Sequence, residues 1–118
     1  MTKKDSFPYV PWYHGDFLRS TPGWSLLERG AYWMLLCAQW ETGPLENDLG
    51  RLAAIIGIDA ETMQRIWPRV GRKFTTTDSG LLNDRMEEHR ANYIRFRALQ
   101  AEKGRKGMES RWGKRQEG

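Results

Sequence analysis

The feature that most constrains the fold is a window of twenty residues, RLAAIIGIDAETMQRIWPRV, at positions 51–70. Gly57 divides it into two short helical patterns, and a polar N-cap residue precedes each one: Asn47 or Asp48 before the first, Asp59 before the second. Two short helices joined by a tight glycine turn form a helix-turn-helix. Apolar residues occur where the two helices must face each other and the core, at Leu52, Ile56, Ile58, Met63 and Ile66.

The segment before this window predicts one longer helix. Ser25 and Glu28 have capping-box spacing, and Gly43–Pro44 is a stop signal, so we place a helix at about residues 26–41. Residues 1–24 are rich in proline, glycine and aromatic residues, which predicts an extended segment packed on the domain. The core-facing stripe of the helix contains Leu27, Ala31, Leu35 and Ala38.

After the window the pattern changes from helix to hairpin. KFTTT and LLNDR flank DSG, which favours a β-hairpin with a three-residue loop that ends in Gly80. Asn83 or Asp84 then caps a final helix, whose sparse apolar stripe fades near Lys103. A hairpin that follows a helix-turn-helix has the position of a wing.

Together these elements predict a mainly α protein with a winged-helix fold, a helix-turn-helix plus a β-hairpin wing, followed by a C-terminal helix and a basic tail. A chain of 118 residues is long enough for about one such domain, which we assign to residues 1–103. Residues 104–118 contain four glycines, mixed charges and one aromatic residue, Trp112, which predicts a disordered tail.

The net charge of +4 is unevenly distributed. Residues 1–89 contain ten Lys or Arg and twelve Asp or Glu, whereas residues 90–118 contain nine and three. Basic arms bind polyanions by releasing counterions from phosphates, so this asymmetry suggests a nucleic-acid partner. A solvated tail that only increases solubility is the alternative.

Few residues suit catalysis or metal binding. Cys37 is the lone cysteine, and His14 and His89 are far apart in the sequence, so neither a zinc site nor a nucleophile–base pair is predicted. We therefore expect no enzyme activity, no cofactor and no small-molecule substrate. No apolar run is long enough to cross a membrane and no secretory signal is visible, so we expect a cytoplasmic protein with no membrane partner. Four aromatic residues are expected in the core rather than as base-stacking platforms, namely Tyr9, Trp12, Tyr13 and Trp24.

Four motifs occur in order along the chain: YVPWYHGDFL, SLLERGAYWMLL, WETGPL and LAAIIGID. Together they resemble the YdaU-like family of phage and prophage proteins, a domain of unknown function, and GRKGMESRW in the tail is also similar. The resemblance covers about residues 7–112. It implies a winged-helix-like domain in the replication region of a bacteriophage or prophage, often encoded near a helicase loader, and it implies no catalytic residues.

The sequence also names a set of candidate DNA-binding residues. Asp59 and Glu61, at the start of the second window helix, would repel phosphates, so this helix is expected to add only weak base contacts. The candidates lie on its later positions, at the start of the wing, on the C-terminal helix and in the tail: Gln64, Arg65, Arg69, Arg72, Lys73, Arg95, Arg97, Lys103, Arg105, Lys106, Arg111, Lys114 and Arg115.

We therefore expect a non-enzymatic DNA-binding protein that acts in phage or prophage DNA replication, as an accessory to initiation or helicase loading. Its expected partners are DNA and a phage or host replication protein, either a helicase or a helicase loader. The alternative is a protein adaptor that binds a helicase, a helicase loader or a host factor without touching DNA.

Overall fold

The computed structural model describes the backbone of residues 9–117 and the side chains of residues 9–108. This part of the chain is mainly helical, as predicted, and the chain divides into two compact units, residues 1–87 and residues 88–118. The elements are α1 (His14–Ser20), α2 (Leu26–Thr42), α3 (Leu49–Ile56), α4 (Ala60–Val70), a 3₁₀ turn (Gly71–Lys73), β1 (Thr75–Thr77), β2 (Gly80–Leu82) and α5 (Asp84–Glu117).

Helix α2 begins at the predicted capping box. The backbone N–H of Glu28 donates to the Ser25 hydroxyl at 3.1 Å, and the backbone N–H of Ser25 donates to the Glu28 carboxylate at 2.8 Å. Its buried face is rotated slightly from the predicted stripe, because Leu27 is exposed. The buried residues of α2 are Ala31, Tyr32, Leu35, Leu36, Gln39 and Trp40.

The two helices of the predicted window are α3 and α4. Asp48 caps α3 by accepting the backbone N–H of Arg51 at 3.2 Å, and Gly57 ends it in the left-handed conformation with φ +81°. Such a φ favours glycine, which has no Cβ to clash with the backbone. Helix α4 contains Pro68 but continues to the fully buried Val70. Proline so near the end of a helix removes one backbone hydrogen bond, and the burial of Val70 compensates.

The hairpin is antiparallel, and its loop is one residue shorter than predicted. Thr77 pairs with Gly80, so Asp78 and Ser79 alone connect the strands. The backbones of Leu45 and Leu81 exchange two hydrogen bonds, at 2.9 and 2.7 Å, on the other edge of β2. A Cβ on Gly80 would lie 2.3 Å from the Leu45 carbonyl oxygen, and the φ of Gly80 is +127°. Glycine is therefore required at this position for two reasons.

A buried amide pair joins α2 to the start of α5. The Gln39 side chain, fully buried, accepts the backbone N–H of Asn83 at 2.8 Å and donates to the Asn83 carbonyl at 3.1 Å. The Asn83 side chain caps α5 by accepting the Met86 N–H at 3.0 Å, and it donates to the Lys73 carbonyl at 2.8 Å. Asn83 rather than Asp84 is thus the cap.

The N-terminal segment differs from the prediction, because residues 14–20 form helix α1 rather than extended chain. The Phe17 ring stacks on Tyr32 at 5.3 Å between ring centroids. Contacts with α2 therefore stabilise a helix that the composition of this segment does not predict. The expectation of a core position is wrong for three of the aromatic residues, which are exposed: Tyr9, Trp12 and Tyr13. Trp24 is half-buried.

The second unit is the helix from residue 88 onward, and its backbone is helical through residues 104–117, where the sequence predicted disorder. Each glycine lowers helix stability by about 1 kcal/mol, but Glu, Lys, Arg and Met between the glycines favour helix. Glu102 and Lys106 also form an ion pair at 3.5 Å with i,i+4 spacing. Among the side chains described in this unit, none is buried.

Within the described residues, no helix is both long enough and apolar enough to cross a membrane.

Candidate nucleic-acid interface

The exposed face of α4 follows from its helical period. Met63, Ile66 and Val70 are buried, so the positions between them point outward. Gln64 and Arg65 are accordingly exposed, as a DNA-contacting side of a helix-turn-helix requires.

The carboxylates at the start of α4 have different environments. Asp59 accepts the backbone N–H of Thr62 at 2.7 Å and its hydroxyl at 2.8 Å, and the N–H bond holds the pKa of Asp59 below its usual range. This carboxylate is therefore engaged in capping the helix. The guanidinium of Arg65 donates to the same Thr62 hydroxyl at 3.2 Å, so it lies over the first turn. Glu61 is exposed and is the carboxylate of α4 that a phosphate would meet.

Arg69, near the end of α4, contacts residues at the start of α2. Its guanidinium donates to the Glu28 carboxylate at 3.1 Å and to the Gly23 carbonyl at 3.1 Å. The pKa of Glu28 is held below its usual range, mainly by the backbone N–H of Ser25, with a contribution from Arg69. Arg69 therefore links α4 to the N-terminus of α2.

The start of the hairpin contributes two further candidates. The ammonium of Lys73 lies 5.6 Å from the centre of the Trp24 ring, a cation–π distance, and the side chain is half-buried. Arg72 is exposed and makes no hydrogen bond or ion pair with any described residue. The strands themselves carry no Lys or Arg, so the cations of the hairpin region are at its start.

The first unit thus carries Gln64, Arg65, Arg69, Arg72 and Lys73, and three of them, Arg65, Arg69 and Lys73, are held by contacts within the unit. The helix of the second unit carries Arg95, Arg97, Lys103, Arg105 and Lys106, all exposed. Arg95 donates to the Asn92 side chain, and Lys106 pairs with Glu102. Among the described side chains, no partner is found for three of these cations, Arg97, Lys103 and Arg105. The side chains of Arg111, Trp112, Lys114 and Arg115 lie outside the described residues.

A cluster of charges near α1 was missed in the sequence. Asp16 pairs with Arg19 at 2.9 Å and with Arg85 at 2.5 Å, and these contacts, that of Arg19 first, lower the pKa of Asp16. The Arg85 guanidinium also lies 5.2 Å from the centre of the exposed Tyr13 ring. The i,i+3 spacing of Asp16 and Arg19 would have signalled the first pair, but Arg85 is far away in sequence.

Metal ligation has no visible site in the described residues, where no three His, Cys, Asp or Glu side chains converge. Cys37 is half-buried, and burial raises the pKa of its thiol.

Comparison with known proteins gives one match. A family model described as a protein of unknown function, DUF1376, matches residues 8–91. No curated protein and no solved structure matches the chain. Because the match covers more than half of the 118 residues, the chain belongs to the DUF1376 family of proteins of unknown function.

Proposed function

We propose that this chain is a non-enzymatic winged-helix DNA-binding protein of the YdaU-like kind. Its role would be in bacteriophage or prophage DNA replication, in the cytoplasm of a bacterial host, as an accessory to initiation or helicase loading. The winged-helix part of the proposal is supported by the order of elements: α2, the Leu45 bridge, the α3–α4 pair and the β1–β2 hairpin.

The observation that carries DNA binding is the excess of positive charge on the second unit. Between residues 88 and 108 the helix has six Lys or Arg and two Glu. The exposed Arg97, Lys103 and Arg105 make no ion pair with any described residue, so their charges are available to phosphates.

The two units would then have different tasks. The cations of the second unit would contact phosphates, which gives affinity with little sequence information. Gln64 and Arg65 on α4 would supply a few base contacts, because Gln can read adenine and Arg can read guanine in the major groove. Glu61 and the capped Asp59 keep this face from binding phosphates strongly, so the second unit should dominate the affinity.

The test is the salt dependence of DNA binding by the full chain. Substituting Lys103, Arg105 and Lys106 together by Gln should weaken binding to all sequences alike. The slope of log K against log salt should become shallower by about 0.9 per lost phosphate contact, or up to roughly 3 units in total. Fluorescence anisotropy with duplex and single-stranded oligonucleotides at several salt concentrations measures both quantities.

Gln64→Ala provides the second arm, because α4 is assigned to bases rather than phosphates. We expect the salt slope to remain unchanged while discrimination between sequences decreases. Arg19→Gln, on an exposed side chain outside the candidate set, is the matched control for charge removal. If the unsubstituted chain binds neither duplex nor single strands at low salt, the DNA proposal is wrong.

That outcome would favour the second candidate function, an adaptor for a helicase, a helicase loader or a host factor. The observation behind it is the exposed aromatic surface of Tyr9, Trp12 and Tyr13, since interfaces are enriched in such residues. Co-purification of the chain with a replicative helicase or helicase loader, in the absence of DNA, would support this function.

A further inference from the structure

An open apolar groove lies on the first unit, beside α2. Its volume is about 420 Å³, and it is bounded by the N-terminal half of α2 and the end of α3. The lining residues are Leu26, Leu27, Gly30, Ala31, Met34, Ile56 and Ile58.

The groove corrects one expectation from the sequence. Ile56 was predicted in the core, but it is half-buried and forms part of the wall. Gly30 leaves the groove open, because a Cβ built there meets no atom within 4 Å. At the rim, Leu26 has 88% of its surface exposed, so a large apolar side chain projects beside an apolar hollow. Patches of this kind mark interaction sites.

The unpaired charge beside the groove is acidic, because Arg65 lies next to Asp59 through the shared Thr62 hydroxyl and leaves Glu61 without a cation in the described part of the chain. Asp59 directly follows Ile58 in the wall, and Glu61 follows in the first turn of α4. Glu61 has no ion-pair partner among the described residues. Residues 9–87 together carry eight Lys or Arg and ten Asp or Glu. An occupant of the groove should therefore be an apolar helix face with positive charges at its edges.

We propose that this groove binds helix α5 of a second copy of the chain. Phe96 and Leu99 are three residues apart, so they are neighbours on one side of α5, and each is 56% exposed. Arg95 and Arg97 flank Phe96, and Lys103 lies one turn beyond Leu99. This combination of an apolar pair with surrounding cations is complementary to the groove and its acidic rim.

The expected assembly is a symmetric dimer with two identical contacts. In each contact the groove of one copy receives Phe96 and Leu99 of the other. A two-fold axis generates this contact twice, because each copy provides both surfaces. The dimer proposal shares Arg97 and Lys103 with the DNA proposal, but it rests on the apolar pair Phe96 and Leu99, which the DNA proposal does not use. Dimerisation would also remove both exposed apolar surfaces from water.

The test is the association state of the full chain, measured by analytical ultracentrifugation over a concentration series. The unsubstituted chain should dimerise. Met34→Glu in the groove and Phe96→Glu on the helix should each weaken dimerisation by about tenfold or more, as removal of a central interface residue does. Leu26→Glu provides a second groove variant at a side chain so exposed that folding is not at risk. Leu18→Glu, at an exposed leucine of α1 outside the groove, should have no effect.

Mixing the variants makes the test specific. A Met34→Glu copy still offers its helix, and a Phe96→Glu copy still offers its groove, so the mixture should form a heterodimer with one intact contact. A chain that remains monomeric would overturn the proposal. A Phe96→Glu chain that still dimerises would also overturn it, because the groove would then pair with another groove rather than with α5. A mixture of the two variants that does not associate would overturn it as well.

Discussion

The two units of this chain use their side chains in opposite ways. Residues 9–87 have a buried apolar core, in which Leu35, Leu52, Met63 and Val70 have no exposed surface. Among the described side chains from residue 88 onward none is buried, and Phe96 and Leu99 remain in water. The charges differ as well: residues 88–118 contain nine Lys or Arg and four Asp or Glu, against eight and ten in residues 9–87. Stability should therefore be concentrated in the first unit and electrostatic binding in the second.

The largest effect should come from removing core volume in the first unit. Leu35→Ala should lower the free energy of unfolding by about 2–5 kcal/mol, because a cavity remains where the side chain was. Ile94→Ala removes an exposed aliphatic side chain from the second unit and should change the free energy of unfolding by about 0.5 kcal/mol or less. Urea denaturation followed by tryptophan fluorescence measures both. Equal losses would mean that the helix from residue 88 contributes as much to stability as the core.

The next effect concerns the buried amide pair. Gln39→Leu keeps the size of the side chain but leaves the backbone N–H of Asn83 without a partner, whereas the Asn83 carbonyl still accepts the backbone N–H of Glu87. The change should therefore cost about 1–3 kcal/mol. The matched change Gln100→Leu, at an exposed glutamine of the second unit, should be nearly neutral. Thermal unfolding by circular dichroism compares the two. A neutral Gln39→Leu would show that this bridge contributes nothing to the stability of the first unit.

The smallest effect is a pH dependence at the start of α2. The folded pKa of Glu28 is below its usual range, so its ionised form stabilises the fold. This contribution is complete above the ordinary glutamate pKa and is lost as the pH falls through the folded pKa. The melting temperature of Glu28→Gln should thus lie below that of the unsubstituted chain near neutral pH, by a few degrees, and the difference should shrink in acid. Glu61→Gln is the control, because Glu61 takes no part in a capping box. If the melting-temperature difference between Glu28→Gln and the unsubstituted chain increased in acid, the stabilising role of ionised Glu28 would be contradicted.

Local signals in the sequence predicted the elements whose ends are fixed by neighbouring residues. The capping box at Ser25, the Asp59 cap and the turn at Gly57 each depend on contacts within four residues, so their positions could be deduced. The same reasoning named Arg69 and Lys73 as candidates for DNA. It could not tell that Glu28 and Trp24, far away in sequence, already hold them.

What the sequence determined by itself was the order of elements from α2 onward and the separation of charge, because capping, helical period and charge are properties of neighbouring residues. Tertiary structure decided which apolar positions became core and which remained open, since burial depends on what packs against each face. Ile56 has the pattern of a core residue but forms a groove wall, and Gln39 looks like a surface residue but is fully buried against Asn83. Helix α1 forms because Phe17 stacks on Tyr32, a contact between residues fifteen positions apart that no local pattern encodes.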